Sequence, residues 1–214
     1  LLLWVAQAAV VGMLLSFPAQ GYGPVSIASS SVHLLVSYAL AWRIRKATTG
    51  WRADGSRLLA RLSIGFMVLS TLGVWAVPIL LANGAFGSEL YYWSIQFFLH
   101  FQFNGWLWFG ALALWSRWAE THGMEEPLDR TTIRLWVISA FLTFALAIAW
   151  SEHHWLTFGI NSVGVLLQGW AGWRTARSIQ STQRRLHTRT ALWAWRCVTY
   201  ALMSMGIKVL IQAA

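Results

Sequence analysis

Gln96, His100 and Asn104 recur every four residues in the apolar stretch YYWSIQFFLHFQFNGWLWFGALALW, and residues four apart on a helix share one face. An imidazole between two amides, flanked by Trp93 and Trp108, forms a stripe that could ligate a metal or bond to another helix. Ionisable and amide groups are expensive in hydrocarbon, so such a stripe faces protein and carries a functional hypothesis by default. A second imidazole, His33, follows Ser26, Ser29, Ser30 and Ser31 in VSIASSSVHLLVSYALAW. Those serines read as packing residues whose hydroxyls bond the preceding turn. His33 is eight residues past Val25 and His100 ten past Leu90, counted from the expected outer ends of their segments. At the helical rise per residue their depths differ by only ~3 Å. Two neutral imidazoles at matched depth could supply both axial ligands of a heme b, with Gln96 and Asn104 fixing the tautomer. The alternative is that each histidine hydrogen-bonds a neighbouring helix.

A third constellation is Glu152, His153 and His154 in SEHHWLTFG. Imidazole and carboxylate suit several divalent metals, with copper or iron as candidate occupants, although adjacent helical histidines point about 100° apart and need a third ligand from elsewhere. An exposed polar turn is the plain alternative. Lys208 invites a Schiff-base reading, but near a helix end a lysine snorkels to the interface. The single cysteine, Cys197, excludes an internal disulfide and a cysteine metal cluster.

The elements that must position these groups follow from composition. The chain has 214 residues, of which 57% are hydrophobic and 11% charged, whereas soluble domains carry roughly a quarter charged residues. Its mean hydropathy is positive, and its 16 tryptophans suit repeated crossings of a membrane interface. Against the ~20 residues needed to cross hydrocarbon, apolar runs near 1–17, 25–42, 58–82, 90–117, 132–151, 154–173 and 191–212 predict an all-α polytopic transmembrane bundle of about seven spans. All of them form a single membrane domain. The opening LLLWVAQAAVVGMLLSF lacks an initiator Met and a basic n-region, which suits a transmembrane helix and a fragment of a larger bundle.

The net charge of +9 resides in Arg and Lys between apolar runs, not in a stripe with interleaved aromatics, so a nucleic-acid partner is not expected. Residues 43–57 and 174–190 hold most of it, while PAQGYGP, NGAFGSE and the Ser151–Glu152 turn hold no Lys or Arg. The loop-charge rule makes the basic loops cytoplasmic. The last span then ends outside, opposite to a rhodopsin. No phosphate loop, nucleophile elbow, zincin helix or dinucleotide fingerprint occurs in the sequence. The partners expected are the lipid bilayer and other membrane subunits or upstream spans.

The segments YYWSIQFFLHFQFNGWLWFGALAL and GYGPVSIASSSVHLLVSYALAW resemble spans of a group of uncharacterised bacterial multi-pass membrane proteins of the cytoplasmic membrane. In that group a further His-rich span ending in Gly-Trp lies upstream, which again implies a fragment. More remotely, the first segment is similar to the helix of heme-copper oxidases and nitric oxide reductases that gives one histidine to the non-heme metal. There an acidic residue, Gly and an aromatic follow the histidine; here Asn104, Gly105 and Trp106 follow His100, and His153 with His154 matches a downstream His-His pair. An extra apolar span separates them, and the covalent Tyr and the His-x-His heme pair are missing. The resemblance therefore implies a heme- or copper-associated membrane protein of respiratory type, with an enzymatic role left open. A small-solute transporter or channel and a noncatalytic assembly subunit are the alternatives.

Overall fold

Turn-forming residues fall where the chain reverses. Pro24 occupies the first turn of a helix, where a missing N–H removes no helical bond. Ser88 and Asp129 each precede a helix, and their side chains accept from the backbone N–H of Tyr91 and Thr132, which is the usual N-cap arrangement. The computed structural model describes residues 1–51, 54–124, 127–151 and 154–185. They form α1 (Leu2–Gln20), α2 (Pro24–Ala47), α3 (Asp54–Ala82), α4 (Glu89–Phe101), α5 (Trp108–Thr121), α6 (Arg130–Leu142), α7 (Phe144–Ile148) and α8 (Trp155–Arg185). A short 3-10 turn follows α2, and a π-helical segment, Gln102–Leu107, joins α4 to α5. Among the described residues there is no strand, so the expected all-α class holds there.

Among the described residues, four segments are long and apolar enough to cross a membrane: Leu2–Gln20, Pro24–Gly50, Gly55–Ala82 and Arg130–Ile148. They coincide with the runs expected near 1–17, 25–42, 58–82 and 132–151. The run expected at 90–117 is instead one rod in three parts, because the helical ladder widens at the π segment. The run at 154–173 is helical from Trp155, but Asn161, Gln168 and four glycines make it less apolar. The span expected at 191–212, with Lys208, lies outside the described residues.

Helices pack in sequence order, α1 on α2, α2 on α3, and α3 on α4, the π segment and α5, while α6 and α7 lie against α8. The core between them is aromatic: Phe66 stacks on Phe101 and Phe109 at 5.9 and 5.1 Å, and Trp136 sits 4.8 Å from Trp108. Two glycines permit the closest approaches. A Cβ on Gly105 would stand 2.5 Å from the Phe66 ring, and one on Gly73 would collide with the Ser94 carbonyl. Leu14, Leu114 and Leu166 are among many large apolar side chains that stay exposed, a surface suited to lipid.

Candidate functional site

The polar stripe of α4 meets α6 and α7 where that long helix breaks. Thr143 donates its hydroxyl to the Ser139 carbonyl, 2.8 Å away, and its backbone N–H bonds the same oxygen at 2.9 Å. Such back-bonding bends helices. The carbonyls of the last turn lack intrahelical partners, and within hydrocarbon each unsatisfied group is costly. His100 meets one of them: its Nε2–H donates to the Ala140 carbonyl at 2.8 Å. Asn104 Nδ2 lies 3.3 Å from His100 Nδ1 and donates to the His100 carbonyl at 3.0 Å, so neither ring nitrogen is bare. With its amide oxygen toward Trp150, Gln96 accepts from the indole N–H at 3.0 Å and donates to the Ala147 carbonyl. Trp93 donates to Ser151 at 2.7 Å. These residues form an antiparallel seam of hydrogen bonds between the side chains of α4 and residues 140–151. The π segment is satisfied in the same manner from α3, by Ser63 to the Trp106 carbonyl and Ser70 to the Gln102 amide oxygen, both at 2.8 Å.

His33 lies in a different place. It lines a partly open cavity of about 340 Å³ with Met13, Tyr22, Trp75, Pro78 and Phe98, bounded by α1 to α4. Ligand pockets run from roughly 300 Å³ upward and are mostly apolar with a few polar groups, as here. The His33 Nδ1 is buried and has no hydrogen-bond partner. Pro78 has no N–H to offer the Val74 carbonyl, and Val74 lines the same cavity. A buried imidazole nitrogen without a partner is the feature that a metal ion or hydrogen-bonding ligand would satisfy.

His33 and His100 are thus not brought together. Ile95 and Phe98 on α4 face the His33 cavity, whereas Gln96, His100 and Asn104 line a groove with Thr143 and Trp150. Of the third constellation, Glu152 and His153 lie outside the described residues. His154 is exposed, and its Nδ1 accepts from the Leu156 N–H at 3.2 Å, a cap on the start of α8. Among the described residues no three His, Cys, Asp or Glu side chains converge as metal ligands do. Asn161 and Gln168 are buried on α8, and their amide oxygens have no partner. Sequence reading missed the acceptors at Ala140 and Ala147, which belong to the backbone, and the cavity wall of Met13, Tyr22, Trp75 and Phe98. Pro78 within an apolar run was the one legible signal for that wall. No protein family, curated protein or solved structure matches this chain.

Proposed function

We propose that this chain is a polytopic protein of the bacterial cytoplasmic membrane that binds a redox group, heme b first among the candidates, in the cavity between α1 and α4. The observation that carries the reading is the buried, unpartnered Nδ1 of His33, a residue that lines an apolar, aromatic-walled cavity. Neutral imidazole is a suitable iron ligand, and an apolar wall excludes water from a porphyrin plane. Heme in such a setting supplies one-electron transfer. His33 is its ligand from this chain. His100 and Gln96 instead hold α4 against residues 140–150, and Asn104 braces the His100 ring, since their polar atoms are already engaged. The distant kinship with oxidase subunits suggested by the LHFQFNGW segment is part of the same proposal.

The deciding experiment is the visible spectrum of the full-length chain purified from heme-replete cells, with His33→Ala and His100→Ala beside it. A Soret band near one heme per chain is expected in the wild type and in His100→Ala, and its loss in His33→Ala. A colourless wild type, or a His33→Ala protein with its full heme complement, would end the proposal and favour a transport or assembly role.

A further inference from the structure

The end of the bundle away from the Gly21–Gly23, 83–88 and 149–151 turns is basic and carries a repeated device. On α2, Lys46 Nζ lies 3.8 Å from the ring centroid of Trp42, and on α8 the Arg177 guanidinium lies 3.8 Å from that of Trp173. In both helices the cation follows the indole by one turn, and both helices run toward the same end. Both indoles are open to the surroundings, Trp42 at 59% and Trp173 at 43% exposure. An amphipathic indole settles at headgroup level, so each pair sets a cation just beyond the hydrocarbon edge. Helix α8 has 31 residues and so extends roughly 46 Å, past a hydrocarbon core of ~30 Å. Its later turns therefore stand outside the membrane, where Ser178 donates to the Pro127 carbonyl and holds the extension against the α5–α6 connection.

The two carboxylates whose side chains are described at this end, Glu120 and Asp129, are already used. Glu120 accepts from the Ser56 hydroxyl and N–H and lies 3.8 Å from Arg117, and Asp129 pairs with Arg174 at 2.8 Å. Exposed Arg43, Arg45 and Lys46 on α2 and Arg177 on α8 therefore leave an excess of positive charge at the level of lipid phosphates. We propose that this rim binds anionic phospholipid headgroups, with Trp42–Lys46 and Trp173–Arg177 as its two fixed points. The rim requires only that the chain spans a bilayer and is independent of any ligand at His33. Basic residues at an anionic surface each favour binding, and the attraction fades within a Debye length.

The test uses the full-length chain in phosphatidylcholine bilayers with trace spin-labelled phosphatidylglycerol or phosphatidylcholine. The ratio of the two in the motionally restricted lipid shell is the readout. A severalfold preference for the anionic lipid is expected at low salt, falling toward unity at high salt. Each removed cation, in Lys46→Gln and Arg177→Gln, lowers it by up to about fivefold. Lys46→Arg and Arg177→Lys retain it, which separates loss of charge from loss of fold. A ratio near one for the wild type, or an undiminished ratio in the double Gln variant, overturns the proposal. So does displacement of the labelled anionic lipid by millimolar inorganic phosphate, which would mark a site for free anions.

Discussion

His100 is a donor placed where a bent helix exposes an acceptor. Without it the Ala140 carbonyl is buried and unpaired, and the loss of a buried partner costs about 1–3 kcal/mol. His100→Ala is therefore expected to lower unfolding stability in detergent by that amount while leaving any heme spectrum in place. His100→Gln, which keeps a donor at similar reach, should recover part of it. Asp129 is a second case at this scale. Burial raises its carboxyl pKa, but the Thr132 hydroxyl and the Arg174 guanidinium outweigh that and hold it below the usual carboxylate value. A lowered folded-state pKa gives stability that is present above the unfolded value and is lost as pH falls through the folded one. Below about pH 4 the wild type should accordingly lose a contribution that Asp129→Asn never has, so the two acid-unfolding curves converge there. Curves that stay parallel down the acid limb would remove the Asp129–Arg174 pair from the account.

At the scale of elements, the π segment is the feature on which the packing of α3 depends. Gly105 lies under the Phe66 ring, so a methyl there forces one of them to move. Gly105→Ala should destabilise by about 1–3 kcal/mol, the usual cost of overpacking, and Phe66→Leu in the same chain should relieve part of it. Thermal unfolding of the single and double variants measures the coupling, and strict additivity would show that the two residues do not meet. The stripe itself was legible: Gln96, His100 and Asn104 do share a face, and that face does turn toward protein. Its partners were not, since backbone carbonyls at Ala140 and Ala147 have no signature in side-chain type. The division of the 90–117 run by a π segment was equally hidden, because a single widened turn leaves the apolar pattern unchanged.

For the whole molecule, the basic loops set one end apart from the other. If they are cytoplasmic, an impermeant maleimide added outside cells should label Phe86→Cys, at an exposed turn, and spare Thr49→Cys, both in a Cys197→Ala background. The reverse pattern would invert the orientation.

Composition and the spacing of apolar runs by themselves determined the helical class, the approximate places of the long apolar helices and the segregation of charge to one set of loops. These are local properties, governed by hydropathy over about 20 residues and by loop charge. By residue count alone, His33 and His100 stand at similar depth along their helices. What the tertiary structure alone decided was azimuth. Ile95 and Phe98 turn α4 toward one cavity while His100 turns to the opposite side, and that rotation is set by the glycine contacts at Gly73 and Gly105 with neighbouring helices. Two residues at one depth meet only if their helices are also rotated toward each other. Packing between distant segments fixes that rotation, and it left His100 satisfied and the Nδ1 of His33 without a partner.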